Sequence, residues 1–297
     1  MRIFVTRLIF ASLACLGALA PSVAQNAPGE PGKTILHLSA FLGQASAPLL
    51  AGLHWRVYNE RADTDGTHVL VAESSLAAPA LALAPGDYVV HLAFGLASAT
   101  KRINVGNDER SERLTLNAGG LRIVGARGDA PIDANHLSLA IYVPERSNPE
   151  AKLVYSRAKA GDILGLPEGA YHIVSTYLDS AAAGKAAGAS NAIVTNSIVS
   201  ADIKVPSGKV LDVTLRHRYA TLTLKLVNSA GAEALANTNF TILTPGGDLI
   251  RELIGAFPSL VLAEGEYVVI ARHDSKTYQS TFEVQSGLDR DVEVIAQ

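Results

Sequence analysis

The chain has 297 residues, 48% hydrophobic and 18% charged, with a formal net charge of −3. That much apolar content excludes a disordered chain, and mild acidity leaves no basic footprint, so no nucleic-acid partner is expected. The single cysteine, Cys15, falls in the N-terminal segment, so burial rather than disulfides must hold the fold together.

Residues 1–24 read as a signal peptide. Arg2 and Arg7 open it, an apolar run follows from Leu8 to Leu19, and Ser22-Val23-Ala24 is a small-x-small cleavage site. The apolar run is short for a membrane span and no later stretch qualifies. The mature chain is therefore expected to lack a transmembrane segment and to be periplasmic or extracellular. Residues 25–33, with Pro28-Gly29 and Pro31-Gly32, read as a flexible lead.

Beyond that point one pattern occurs three times. Leu81-Ala82-Leu83 leads to Gly86-Asp87-Tyr88, Leu164-Gly165-Leu166 to Gly169-Ala170-Tyr171, and Leu260-Val261-Leu262 to Gly265-Glu266-Tyr267. Alternating apolar residues on both sides of a glycine turn read as a β-hairpin written three times. Upstream strands align Trp55, Leu137 and Phe240, with Trp55 turned inward. Downstream strands end at Val105, Val205 and Val284, and a closing strand follows each.

Alternation puts Tyr88, Val90, Leu92 and Phe94 on one face, which we place inward. The three tyrosines can bond to backbone upstream, as in a tyrosine corner. Gly86, Gly169 and Gly265 are expected to supply backbone freedom at the reversal.

These repeats predict an all-β chain of three tandem immunoglobulin-like or prealbumin-like β-sandwiches over residues 34–118, 119–217 and 218–297. The second repeat carries an insertion, residues 179–192, rich in Ala, Gly and Ser. It reads as a mobile loop, either a tolerated excursion or a binding loop. Junctions near Asn117-Ala118-Gly119 and Arg216-His217-Arg218 are short, which predicts a bent rod, stiffer at the second.

The third repeat, Leu222-Thr223-Leu224-Lys225-Leu226 through Phe240-Thr241-Ile242 with Glu264-Gly265-Glu266-Tyr267, resembles collagen-adhesin B-type and carboxypeptidase regulatory-like domains. The whole chain also resembles exported α-proteobacterial proteins. The first resemblance implies a prealbumin-like sandwich and raises the Lys–Asn or Lys–Asp amide crosslink of some such domains. Lys225 stands near the family's lysine, with Asp291 as the acceptor candidate. Asp291 alternates with Val292 and Val294 and should point outward with Glu293, so no crosslink is expected.

Chemistry-bearing motifs are sparse. The eight histidines include no closely spaced metal pair, and no cofactor is expected. Asp63 with Asp65, and Asp108 with Glu109, read as turns rather than calcium ligands. Arg272-His273-Asp274-Ser275-Lys276 reads as a polar turn, since a catalytic triad is drawn from separate segments. His54, Arg56 and Tyr58 form a polar stripe opposite Trp55 and Val57. Such a stripe is ordinarily the wet face of a half-buried strand; read functionally, it is the candidate ligand-binding surface.

The function expected is that of a non-catalytic binding or scaffolding protein of the cell envelope, with a polysaccharide or a protein as partner. A carbohydrate-binding accessory module is the alternative, and an enzyme with a site at a domain junction a second one.

Overall fold

The computed structural model describes residues 32–145, 148–179 and 194–297. The signal-peptide reading, nearly all of the flexible lead and nearly all of the insertion fall outside them.

The first sandwich has seven strands: β1 (Thr34–Leu42), β2 (Leu53–Ala62), β3 (His68–Ser74), β4 (Ala80–Leu83), β5 (Gly86–Phe94), β6 (Ala97–Val105) and β7 (Arg110–Leu116). They form a three-stranded sheet, β4-β1-β7, facing a four-stranded one, β3-β2-β5-β6. The second comprises β8 (Ala118–Arg127), the short β9 (Ala130–Pro131), β10 (Leu137–Glu145), β11 (Asn148–Ala158), β12 (Ile163–Pro167), β13 (Gly169–Leu178), β14 (Val194–Val205) and β15 (Val210–His217). Its sheets run β12-β8-β15 and β11-β10-β13-β14. The third has β16 (Tyr219–Val227), β17 (Thr238–Leu243), β18 (Leu249–Gly255), β19 (Ser259–Ala263), β20 (Gly265–His273), β21 (Lys276–Val284) and β22 (Arg290–Ile295), ordered β19-β16-β22 and β18-β17-β20-β21.

Each sandwich has its own core. One gathers Leu36, Leu38, Trp55, Val57, Val90 and Leu92, another Leu121, Leu139, Ile141, Leu166 and Ile173, and the last Leu222, Leu224, Phe240, Ile242 and Val269. First and last strands pair in parallel each time: β1 with β7, β8 with β15 and β16 with β22. The closing strand of one sandwich leads directly into the opening strand of the next, so the chain runs end to end.

Two sequence expectations are corrected. The repeated Leu-x-Leu to Gly-x-Tyr stretch is not a hairpin. β4 pairs with β1 while β5 pairs with β2 and β6, so the chain crosses from one sheet to the other. β12 to β13 and β19 to β20 make the same crossing. Two consecutive strands joined by a glycine turn carry the same local pattern whether they pair or separate. Of the three glycines at the crossing, only Gly265 takes a positive φ, 151°.

The crossing explains the tyrosine. Tyr88 donates its hydroxyl to the Ala84 carbonyl at 2.8 Å, Tyr171 to Pro167 at 2.9 Å, and Tyr267 to Ala263 at 2.8 Å. Each ring is buried at the corner, and each hydroxyl satisfies a carbonyl left over where the chain leaves one sheet.

The second correction is register. Trp55 faces Leu92 and Phe240 faces Ala271, the same step past Tyr88 and Tyr267. In the second sandwich that position belongs to Leu139, which faces Ser175; Leu137 lies one rung further, opposite Tyr177. Trp55 is fully buried, as alternation implies, and its Nε1 donates to the Leu76 carbonyl at 3.0 Å.

Candidate binding surface

His54, Arg56 and Tyr58 stand on β2, the second strand of the four-stranded sheet of the first sandwich. Leu53, Trp55 and Val57 fill the core between them, so alternation turns the polar three outward. His54 and Arg56 are exposed and Tyr58 is half-buried.

Register supplies the neighbours that the sequence alone could not. Arg56 lies across from Glu73 on β3 and His91 on β5, and His91 across from Thr100 on β6. Tyr58 lies across from Leu70 and Val89, and Val89 across from Arg102, whose Nε sits 3.3 Å from Glu60. The side chains of His54, Arg56 and Tyr58 make no hydrogen bond or ion pair with another described residue. The face thus offers a guanidinium, two imidazoles and a phenol from a rigid sheet, all free to bond hydroxyl or carboxylate groups of an extended ligand.

Several polar groups elsewhere are already engaged. Asp65 accepts from the Thr67 amide and hydroxyl, which closes a turn and holds its carboxyl below the usual range. Asp274 and Ser275, both at positive φ, form the β20–β21 hairpin tip, where His273 Nε2 lies 3.3 Å from Asp274. Among the described residues no three His, Cys, Asp or Glu side chains converge to hold a metal ion, and no helix is long and apolar enough to cross a membrane. Lys225 pairs with Asp291 on the outer face of the third sandwich, where the aspartate side chain is half exposed. The aspartate points outward, as its alternation with Val292 and Val294 requires.

One polar cluster is buried. His217 is fully enclosed, with its Nε2 2.8 Å from Ser175 Oγ and its Nδ1 3.0 Å from Ser197 Oγ. Burial pushes its pKa down, with a smaller opposing pull from Ser197. Both ring nitrogens meet serine hydroxyls inside the enclosed cluster, so the contact is part of the buried core. The signal for it was present: His217 continues the inward alternation of Val213 and Leu215.

His217 lies where the second and third sandwiches meet. There Tyr177 stacks on Tyr219 with ring centroids 4.2 Å apart, and Leu137 and Val261 complete a small shared core. Ser197, Ile198, Val199, Arg216, Arg218, Ala263 and Glu264 line a groove of about 310 Å³ at the same junction. Arg218 forks onto Glu264 at 2.7 and 2.8 Å across its rim.

Fold and surface together define a string of β-sandwiches that presents polar sheet faces. Residues 221–296, most of the third sandwich, match the family described as the Rhizobiales growth-associated tandem repeat domain. No curated protein matches the chain in sequence. Among solved structures it is similar to the Bacillus anthracis TIE protein, at 17% identity and a TM-score of 0.26 over 90% of this chain, and it spans half the length of that protein. It is also similar to a streptococcal ancillary pilin, at 10% identity and a TM-score of 0.30 over 89% of this chain and 99% of the pilin. The major pilin subunit of Bacillus cereus is similar at 10% identity and a TM-score of 0.24, over 89% of this chain and all of that one. Similarity at this level says nothing about what the chain binds.

Proposed function

We propose that the chain is an exported, non-catalytic binding or scaffolding protein of the cell envelope, built as three sandwiches over residues 34–118, 119–217 and 218–297. Its ligand is an extended envelope polysaccharide or a protein strand, held on the outer face of the first sandwich by His54, Arg56 and Tyr58. The observation that carries this reading is the free state of those three side chains on a strand whose alternate residues are locked in the core. A rigid sheet holding unengaged donors in register loses little side-chain freedom on binding. Export rests on the sequence of residues 1–24.

The test is capture from an envelope extract, run beside a glycan array, with the mature chain and with a His54→Ala/Arg56→Ala/Tyr58→Ala variant. The wild type retains a ligand and the variant loses it, while the exposed His54 and Arg56 substitutions leave stability within about 0.5 kcal/mol. Equal capture by both proteins sinks the site. Mass analysis of the exported product, expected to begin at Gln25, tests the cleavage.

A further inference from the structure

The two junctions of this chain are built alike. At the first, the β5–β6 hairpin of the leading sandwich packs on β12, the edge strand of the next three-stranded sheet, and the Leu96 amide donates to the Gly165 carbonyl at 2.8 Å. At the second, β14 packs on the edge strand β19, and the Asn196 side chain accepts from the Ala263 amide at 2.8 Å. Val105, Val205 and Val284 lie opposite Gly86, Gly169 and Gly265. The same step back from each valine lands on Leu96, Asn196 and Ser275.

A flanking contact repeats as well. At the first junction the turn after β1 closes on the turn before β15, so tightly that a Cβ on Gly43 would sit 2.7 Å from Ser207 Oγ. At the second, Arg127 at the end of β8 reaches Asp289 in the turn before β22, at 2.9 Å. One arrangement therefore serves both junctions: chain at or near the start of the strand that follows the corner-tyrosine strand meets the edge strand, by a hairpin tip at the first and by β14 itself at the second, with a flanking contact beside it.

Both halves of that joint recur without a partner among the described residues. The third sandwich ends in the Asp274–Ser275 tip, flanked by exposed Arg272 and Lys276. The first sandwich presents β4, an edge strand with Ala80 and Ala82 exposed, in the place that β12 and β19 occupy in the others. We propose that the tip of one copy docks on β4 of a second copy, so that the chain assembles head to tail. A contact between two different surfaces that does not close into a ring propagates as a filament, and an open strand edge is a ready template for it. The charged tip suits such a joint, because the second junction already uses Asn196, the Asp179–Arg251 pair and the Arg127–Asp289 pair. Inside the chain the linker holds the two halves at an effective concentration of about millimolar. Between chains the same contact needs protein at a comparable level, or confinement in a narrow compartment.

Sedimentation velocity on the full chain, from micromolar to millimolar concentration, tests this without reference to any envelope ligand. The weight-average sedimentation coefficient is expected to rise with concentration. Ala82→Lys, which puts a long charged side chain on the outer face of β4, is expected to abolish the rise. In a Cys15→Ser background, an Ala82→Cys chain mixed with a Ser275→Cys chain is expected to give a disulfide-linked pair, and one chain carrying both a ladder of multimers. A wild type that stays monomeric throughout overturns the proposal, as does an Ala82→Lys protein that still associates. So does crosslinking no greater than that of a control with Thr214→Cys in place of Ser275→Cys.

Discussion

Asn196 of the second sandwich donates from Nδ2 to the hydroxyl of Tyr267 at 2.9 Å, the tyrosine that turns the corner of the third. Its Oδ1 takes the Ala263 amide, so one side chain bonds both to the tyrosine and to the residue whose carbonyl that tyrosine caps. Asn196→Ala removes both bonds and leaves the amide with no protein partner, which weakens the coupling of the two sandwiches by about 1–3 kcal/mol. Calorimetry is expected to show their shared unfolding transition broaden or split, with the first sandwich unmoved. An unchanged trace would mean that the Tyr177–Tyr219 stack and the Arg127–Asp289 and Asp179–Arg251 pairs hold the joint without Asn196.

The three corner tyrosines form an internal series. Tyr88→Phe and Tyr171→Phe each lose one hydroxyl bond, about 1 kcal/mol. Tyr267→Phe also strands the Asn196 amide, so it is expected to cost more than either, by chemical denaturation of each variant. If all three cost the same, the bond from Asn196 contributes nothing.

At the first junction the close approach is backbone on backbone. A Cβ on Gly165 would lie 2.3 Å from the Phe94 carbonyl oxygen, a distance no folded backbone tolerates. Gly165→Ala is therefore expected to pry the first sandwich away from the second while leaving both folded. Small-angle scattering should report a wider range of shapes, with circular dichroism unchanged. Val261 holds the corresponding place in the third sandwich, buried in the small core it shares with Leu137, Tyr177 and Tyr219, so a side chain fits there.

The alternation of Leu53, Trp55 and Val57 shows which side chains of β2 face water, and the recurring tyrosine marks the corner bond in the sequence itself. Other features lay beyond a local pattern. A two-residue slip keeps every side chain on its face, so Leu137 and Leu139 were equally good partners for Trp55 until Ser175 was seen opposite Leu139. The crossing between sheets escaped because pairing is a property of distant strands. Glu73 and His91 join the face of Arg56 only through register, and Asn196 and Gly165 matter only through residues far along the chain.

Glu112 makes the first sandwich sensitive to acid. Its side chain is only 7% exposed, and Lys101 from the facing sheet reaches it at 2.6 Å while Arg110 reaches it at 2.5 Å. Burial is the largest single influence and pushes its pKa up, but the two hydrogen bonds and two charges together outweigh it, so the carboxyl lies below its usual 4.5. A depressed carboxylate contributes stability that is complete above the unfolded pKa and is lost as pH falls through the folded one. Glu112→Gln is expected to cost about 1–2 kcal/mol at neutral pH, because both cations keep access to water. Below pH 4 the gap to the wild type should narrow in urea titrations.

His217 sets a second dependence at higher pH. Enclosed between Ser175 and Ser197, the ring is favoured neutral, and its pKa falls below the ordinary 6.5. The unfolded chain takes up a proton first, so the stability linked to His217 is full above pH 6.5 and declines as pH drops toward the folded value. The slope cannot exceed about 1.4 kcal/mol per pH unit for one group. Around it stand Tyr177 and, across the stack, Tyr219; Arg127 lies over the Tyr219 ring and pairs with Asp289, and His136 meets the far edge of Tyr177. Tyr219 is pushed well up, first by burial, so it stays neutral in this window. Melting the wild type and His217→Leu at pH 7.5 and pH 5 separates the contributions. The variant is less stable at pH 7.5, with two hydroxyls left unpaired, but should lose less on acidification. An equal loss in both would mean that His217 is not the origin of the dependence.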